Sequence, residues 1–416
     1  MKNILRNISI VLSMIFATIL TVFLIEQYCQ AFNQFGLFAK DRLLNQPILV
    51  LIITPAFFWM SAYLCRKFAV NASGNSVEHF RESLIEAEKT PYHFGKLSDL
   101  LGVKVIIIKT VSSLLCVFGG GALGREGPAV HMSAGIFAII ANKLKSFLPN
   151  IKVETWVLAG GATGLTVAFH APIAGFVFAV EKLIKSKPKN LISDAIWVLA
   201  VILIVIGALY YHHTAAFDAN ANFQFSSQII LLIFTAIICG LVAFFFKKIN
   251  KYFYSKLASI KSNWWHLIPI MAGLAVAVIS LYCGVYSFSG GVYTVDAALL
   301  SPDTLLSYKE VGGRIINTII SFISGCAGGL VAPAIAIGAG IGSIASSFMP
   351  SANVDVFLLI GMAAFLGAVL GEPIAAAIII FEITGQSVSN IAFLLLSSVA
   401  SFAVLKMVEK YYPKKI

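Results

Sequence analysis

The sequence predicts an all-α, polytopic membrane protein. Of its 416 residues, 59% are hydrophobic and only 12% are charged, against about 25% charged residues in soluble domains. Apolar stretches long enough to cross a bilayer recur from one end of the chain to the other. A soluble protein of this composition would expose too much apolar surface to water, which argues against a cytosolic enzyme or a nucleic-acid-binding protein.

Full-length membrane spans are expected where apolar stretches approach the ~20 residues that a bilayer requires. The first follows Lys2 and Arg6 and looks superficially like a signal peptide. Its apolar part is too long for a signal peptide, and no small-residue cleavage site follows it. We therefore expect a helix that is retained in the protein. The predicted spans are roughly 7–29, 47–70, 190–212, 226–247, 265–285 and 388–409.

The net charge of +11 collects in short basic clusters rather than on one face. By contrast, the segment 211–228 contains no Lys or Arg. This alternation is typical of the positive-inside rule and predicts an inner (plasma) membrane protein with both termini in the cytoplasm. A solvated basic face, the alternative, does not explain it. The clusters lie at 2–6, 66–67, 182–189, 247–261 and 406–415.

Between the full-length spans, Gly and Pro break the apolar stretches into short pieces. Backbone that leaves a helix at membrane depth must be buried in protein or line a polar cavity, because lipid cannot satisfy its N–H and C=O groups. We therefore expect broken and re-entrant helices around a pathway near the midplane. The interruptions are at 119–121, 124–128, 290–291 and 328–329, and at Pro172, Pro333 and Pro373.

The interruptions come in matched pairs. Residues 124–136 align without gaps on 329–341, with six identical pairs of thirteen. A second stretch matches Gly160, Pro172 and Glu181 to Gly361, Pro373 and Glu382 in the same order. Coincidence among Gly- and Ala-rich helices is the alternative. The pairing favours an inverted repeat, with one half at 1–225 and the other at 226–416.

In each half a Gly-rich turn leads to a proline suited to the first turn of a helix, Pro128 and Pro333. The free N–H groups of such a helix start, with the helix dipole behind them, attract an anion. Two facing starts would hold a small dehydrated anion weakly enough to release it, as conduction requires. Glycines that only allow close helix packing are the alternative, but packing does not account for Glu126.

Glu126 is the residue that carries most of the functional prediction. A carboxylate among apolar helices costs ~2.5–3.5 kcal/mol on insertion scales, so it needs a use or a partner. At a helix start it can occupy the anion's own position, and protonation would neutralise it and let it swing away. We therefore predict that Glu126 is both gate and proton carrier. A salt bridge with adjacent Arg125 is the structural alternative.

The runs Gly124-Arg125-Glu126-Gly127-Pro128 and Gly328–Pro333 (GGLVAP) resemble signatures of the CLC family of chloride channels and chloride/proton antiporters. The resemblance covers nearly the whole chain and is to bacterial members with the membrane domain alone, without a cytoplasmic nucleotide-binding domain. It implies a homodimer with one pore per subunit and assigns gating and proton transfer to Glu126. Anion binding is implied at Ser73 or Asn75 and at Arg125, Gly127, Leu330 and Val331.

Two departures from the family pattern bear on mechanism. Antiporters usually carry an internal proton-relay glutamate directly after the position of Glu181, where this chain has Lys182. This altered internal proton site leaves proton coupling open. The family's last helix offers a tyrosine hydroxyl to the anion, for which Tyr411 and Tyr412 are the nearest candidates. Interfacial anchoring is their other interpretation.

The sequence thus predicts transmembrane transport of a small inorganic anion, by default chloride, through a channel or a proton-coupled antiporter. Its partners are the halide, protons and membrane lipid. A fluoride/proton antiporter is the alternative within the family, and a cation-coupled solute transporter is the alternative from another class. The six cysteines form no CxxC pair, so no metal or cofactor is expected, and no HExxH or GxSxG motif indicates an enzyme.

Overall fold

The computed structural model describes residues 2–89, 95–144, 153–186, 191–209, 217, 221, 229–258, 260, 263–300, 305–348 and 353–412. Most of the cation-free segment predicted at 211–228, and parts of the last three basic clusters, lie outside the described residues. The structure is almost entirely helical. This agrees with the predicted all-α polytopic membrane fold.

The first part of the chain forms nine helices within the described residues. Four of them, α2, α5, α7 and α9, are strongly apolar, and α6 begins at Glu126, inside the predicted motif. Their bounds are α1 (Lys2–Asn45), α2 (Pro47–Phe68), α3 (Ser76–Lys89), α4 (Gly95–Leu101), α5 (Val103–Phe118), α6 (Glu126–Lys143), α7 (Val153–Phe169), α8 (Pro172–Ser186) and α9 (Leu191–Leu209).

The second part repeats this alternation of long and short helices. Two short strands, β1 (Gly74–Asn75) and β2 (Ala327–Gly328), come from the two parts and pair with each other. The helices are α10 (Ile229–Ala258), α11 (Leu267–Cys283), α12 (Val292–Leu300), α13 (Tyr308–Ile323), α14 (Val331–Ser346), α15 (Val354–Leu370), α16 (Pro373–Ile383) and α17 (Ile391–Tyr411).

Each predicted span corresponds to a helix. Five of them match helical stretches long enough to cross a membrane, whereas 190–212 matches α9, whose stretch Asp194–Ala208 is one of the shorter apolar helices of the described residues. Helix α1 continues to Asn45, well past the predicted end at residue 29, because Phe32, Ala39 and Leu43 keep a buried face at helical spacing. Among the described residues six helical stretches are long and apolar enough to cross a membrane, and one of them, Gly95–Phe118, was not predicted as a span. Three lysines within it mask its apolar character in the sequence.

Helices α7, α14 and α15 form the centre of the molecule and are buried on nearly all faces. Helix α14 approaches α15 closely, and α7 approaches α6, because small residues line these contacts, as is usual in membrane helix pairs. A Cβ atom at Gly361 on α15 would overlap the Gly338 carbonyl oxygen on α14, and one at Gly164 on α7 would lie 2.8 Å from Val130 Cα on α6.

The helix contacts of the first part recur in the second. Helix α1 packs against α5, α6, α7 and α9, and helix α10 packs against α13, α14, α15 and α17. Likewise α6 lies along α7 as α14 lies along α15. The most extensive helix contacts between the parts are α2 with α11 and α8 with α16. The matched sequence motifs therefore occupy matched places in the packing.

Gly361→Ala tests whether this close packing holds the centre together. The added methyl group has no room at the Gly338 carbonyl, so we expect a loss of about 1–3 kcal/mol in the free energy of unfolding, the usual cost of overpacking. The matched control is Gly207→Ala on α9, where a Cβ meets nothing within 4 Å. Thermal unfolding in detergent micelles, followed by circular dichroism, measures both. Equal stability of the two variants would contradict the packing argument.

Candidate functional site

The Gly-rich turns of the two parts meet at one place, which we call the motif junction (residues 73–76, 124–128 and 327–333). Strand β1 runs parallel to β2, with Gly74 opposite Ala327. Next to this pair, Gly124 and Gly329 exchange two backbone hydrogen bonds of 2.8 Å each. The helix starts of α3, α6 and α14 are thus held side by side inside the protein.

The junction needs glycine because its backbones touch. A Cβ at Gly127 would lie 2.8 Å from Gly329 Cα, and a Cβ at Gly329 would lie 2.7 Å from Gly127 N. Gly74 has a φ of 76°, a left-handed conformation that glycine adopts without steric cost. The predicted anion-binding residue Gly127 is therefore at the junction, where it permits the two parts to approach.

The Glu126 side chain of the first part reaches the helix start of the second part. It is 2% exposed, and its Oε2 accepts a hydrogen bond of 3.3 Å from the Ala332 backbone N–H in the first turn of α14. Free N–H groups and the helix dipole give such an end a partial positive charge. The carboxylate therefore lies where the helix start would hold an anion.

Arg125 forms only a loose ion pair with Glu126, the alternative considered from sequence. Its Nε lies 3.8 Å from Glu126 Oε1. The ends of its guanidinium donate to the backbone carbonyls of Cys29 on α1, at 3.2 Å, and Ala168 on α7, at 3.1 Å. Arg125 thus ties the start of α6 to two neighbouring helices, while the carboxylate has a second partner in the other part of the chain.

The other predicted residues of the second motif lie directly before this contact. Leu330 precedes α14 and Val331 is its first residue, and both are buried. The amide that contacts Glu126 belongs to Ala332, the residue after Val331. The repeat alignment pairs this residue with Gly127, a signal that sequence reasoning passed over.

The first motif places Ser73 and Asn75 differently. The Asn75 side chain accepts a hydrogen bond of 3.1 Å from Val77 N, so it serves the turn into α3. Ser73 Oγ instead lies 3.3 Å from the Tyr254 hydroxyl on α10. A Cβ at Gly74 would lie 2.5 Å from that hydroxyl. Tyr254 was not predicted, because nothing in the sequence links residues so far apart in the chain.

Tyr411 and Tyr412, the predicted tyrosine candidates, are not brought to the junction. They lie at the end of α17 and are 82% and 70% exposed. The tyrosine hydroxyl beside Ser73 comes from Tyr254, whose ring also packs against Phe322 at 5.5 Å. The exposure of the two C-terminal tyrosines fits their other interpretation, anchoring at the membrane interface.

Glu181 caps a helix of the opposite part, and its repeat partner does the same in return. Glu181 Oε2 accepts from Ala375 N at 2.8 Å, at the start of α16. Glu382 Oε2 accepts from Ala174 N at 2.6 Å, at the start of α8. Both carboxylates thereby satisfy helix N–H groups that would otherwise lack partners in the membrane.

Lys182, at the altered internal proton site, forms a buried ion pair. Its Nζ lies 2.8 Å from Glu372 Oε1, which also receives Lys185 Nζ at 3.1 Å. The side chains of Lys182 and Glu372 are 8% and 4% exposed. This ion pair joins α8 to the start of α16.

The family model for voltage-gated chloride channels matches residues 56–406, which include every motif at the junction. The chain belongs to this family. The resemblance inferred from the motifs is therefore confirmed, and the protein is a multi-pass membrane protein with the family's fold.

Relatives and solved structures agree with this assignment. The voltage-gated ClC-type chloride channel ClcB of Escherichia coli O17:K52:H18 is 27% identical over 74% of this chain and 73% of its own. ClcB of Salmonella typhi is 26% identical over 80% of this chain and 79% of its own. The fold matches that of a slow cyanobacterial chloride/proton antiporter with a TM-score of 0.77 and 19% identity, over 96% of this chain and 94% of the other. It also matches that of a CLC-type fluoride/proton antiporter with a TM-score of 0.78 and 18% identity, over 96% of this chain and 95% of the other.

Lys182→Gln tests the buried ion pair. It leaves Glu372 with only the half-exposed Lys185, so we expect destabilisation, toward the 3–5 kcal/mol cost of a broken buried pair. Adding Glu372→Gln removes the unpaired charge, so the double variant should recover most of that loss. Melting temperatures of the two single variants and the double variant in detergent measure the coupling. Additive losses would contradict a direct pair.

Proposed function

We propose that this protein transports a small inorganic anion, chloride by default, through a pathway that Glu126 gates. The observation that carries the proposal is the Glu126 carboxylate at Ala332 N, at the start of α14. A carboxylate in that position competes with an anion for the same helix start. When it is protonated, it loses its charge, leaves the amide, and frees the site.

Ser73 and Tyr254 supply a second anion position in this proposal. Their hydroxyls lie 3.3 Å apart at the edge of the junction, so both O–H groups can turn toward one anion and donate to it. Neither group carries a positive charge, so binding stays weak enough for release. We therefore assign the tyrosine ligand of this pathway to Tyr254 rather than to Tyr411 or Tyr412.

Chloride is favoured over fluoride by the names of the relatives. Those at 26–27% identity are named chloride channels, whereas the fluoride/proton antiporter is similar in fold at 18% identity. The Asn75 side-chain oxygen accepts from Val77 N and is thereby engaged in the turn into α3.

Proton movement in this proposal depends on Glu126. Glu181 is engaged as a helix cap and Lys182 as an ion-pair partner, so neither offers the internal carboxylate of a typical antiporter. This arrangement supports an uncoupled or weakly coupled anion pathway. A cation-coupled solute transporter would need Glu126 to face a cation, but the side chain accepts from a helix start whose partial charge is positive.

We further propose two repeat halves, 1–225 and 226–416, in a homodimer with both termini in the cytoplasm and the protein in the inner membrane. The recurring helix contacts support the division. Exposed apolar side chains on α8, α9, α16 and α17 form a surface suited to a second copy or to lipid. These are Ile173, Ile184, Ile196, Leu203, Ile374, Leu396 and Val399.

Glu126→Gln tests the gate. The amide mimics the protonated side chain, so at saturating halide we expect anion efflux that no longer rises as pH falls and that moves no protons. Chloride and fluoride efflux from proteoliposomes, with simultaneous pH recording, measures both.

The matched control is Glu310→Gln. Glu310 is a half-buried carboxylate in the first turn of α13 that accepts from Ser307 N, and glutamine can still accept there, so this variant should behave as wild type. Identical efflux of wild type and Glu126→Gln at every pH would refute the gate, and faster fluoride than chloride efflux would refute chloride as the substrate.

Tyr254→Phe tests the second anion position. The variant keeps the ring against Phe322 and removes one donor to the anion. A hydrogen bond to a charged group contributes about 1.5–3 kcal/mol, so we expect halide affinity to fall at least tenfold. Isothermal titration calorimetry with bromide measures it, with Tyr412→Phe as the control that leaves affinity unchanged. Equal affinity of the two variants would remove Tyr254 from the pathway.

A further inference from the structure

Behind the motif junction lies a group of three basic side chains, two fully buried and one half-buried, that the gate does not use. Lys109 on α5 is fully buried. Its ammonium donates to Ser76 Oγ at 3.3 Å and lies 3.5 Å from His79 Nδ1 on α3. Lysine is rarely buried completely without a charged partner, so its presence here calls for an explanation.

His131 on α6 completes the group. It is 0% exposed, and its ring centroid lies 6.0 Å from that of His79. Neither of its ring nitrogens makes a hydrogen bond within the described residues. A buried imidazole without a partner has given up its hydrogen bonds to water and made none in the protein, which costs free energy. We call Lys109, His79 and His131 the basic cluster.

No carboxylate forms an ion pair with the basic cluster in the described part of the chain. Glu126, the carboxylate on α6, pairs with Arg125 instead. The elements packed around the cluster carry other titratable or charged groups. Among them are Tyr28 and Cys29 on α1, Cys65 on α2, Glu78, Arg81 and Glu82 on α3, Lys96 and Asp99 on α4, Lys104 and Cys116 on α5, Lys143 on α6, Glu154 on α7 and Cys326 before β2.

Burial and mutual repulsion limit how many protons such a cluster can hold. A buried charge without a partner is expensive, and a positive charge on one of three neighbouring basic groups disfavours protonation of the others. A nearby negative charge reduces both the cost of burying a positive charge and the repulsion between the basic groups. The proton occupancy of the cluster therefore depends on whether an anion lies nearby.

The cluster touches the anion pathway through Ser76. The Ser76 hydroxyl that receives Lys109 also donates to the Gly328 carbonyl at 3.1 Å. A Cβ at Gly127 would lie 3.3 Å from Ser76 Cβ. Ser76 begins α3 at the junction, so the cluster lies directly behind the place where we propose the anion binds.

We propose that Lys109, His79 and His131 form a second proton-binding site, separate from Glu126, whose protonation is linked to anion occupancy of the junction. This inference rests on the proposed anion transport. Linkage is reciprocal: an anion that favours protonation of the cluster binds more tightly when the cluster is protonated. The cluster gives the protein a proton response even where the usual internal carboxylate is replaced by Lys182.

The test uses the full-length protein in detergent, with Glu126→Gln to remove the gate's own titration. Bromide is added to lightly buffered protein, and proton uptake is read with a pH indicator; bromide affinity is measured by calorimetry from pH 5.5 to 8.5. We expect proton uptake on binding and an affinity that rises as pH falls. If one proton is linked to binding, the bromide affinity can change by at most tenfold per pH unit.

His79→Gln with His131→Gln, in the same background, should at least halve both the uptake and the pH dependence. His131→Gln alone breaks no hydrogen bond, so this variant should still fold. It should reduce the proton uptake and the pH dependence in part. Infrared difference spectra with labelled histidine should show imidazole protonation on bromide addition. His266→Gln is the control, because glutamine can still accept from Trp59 Nε1.

Bromide binding without pH dependence or proton uptake in the Glu126→Gln protein would overturn the inference and leave anion transport standing. Undiminished uptake in the double histidine variant would overturn it as well. Absence of bromide binding at every pH would refute the anion site itself, and the inference with it.

Discussion

The structure depends on one interaction, the contact between the Glu126 carboxylate and the start of α14. A helix that begins inside the membrane leaves several N–H groups without partners, and lipid supplies none. Here a carboxylate from the other part of the chain accepts from one of them. The contact is possible because Gly124 and Gly329 join the two parts by backbone hydrogen bonds. A negative side chain that can be neutralised by one proton is a suitable occupant for a site built to release an anion.

Carboxylates of one part also accept from helix starts of the other part at α8 and α16. Glu181 serves the start of α16 and Glu382 serves the start of α8. Each part of the chain therefore completes helix ends of the other. These two carboxylates lie where α8 and α16 pack together. Glu126 differs in that its helix start faces the junction and the proposed ligands Ser73 and Tyr254.

The sequence was sufficient wherever local chemistry decides the structure. Gly and Pro at 124–128 and 328–333 predicted helix starts, and the apolar stretches predicted the spans; α1 proved longer, and Gly95–Phe118 was missed because of its lysines. What depends on distant packing could not be predicted. Tyr254 reaches Ser73 only through the path of α10, and Lys182 finds Glu372 only because α8 meets α16.

The most direct measurement of the central claim is the anomalous diffraction of bromide in crystals of the Glu126→Gln protein, beside wild type at alkaline pH. If the carboxylate and the anion share one position, bromide should appear in the variant at the α14 start, within hydrogen-bond distance of Ala332 N, and be absent there from wild type. Bromide at that amide in both proteins, or in neither, would contradict the account.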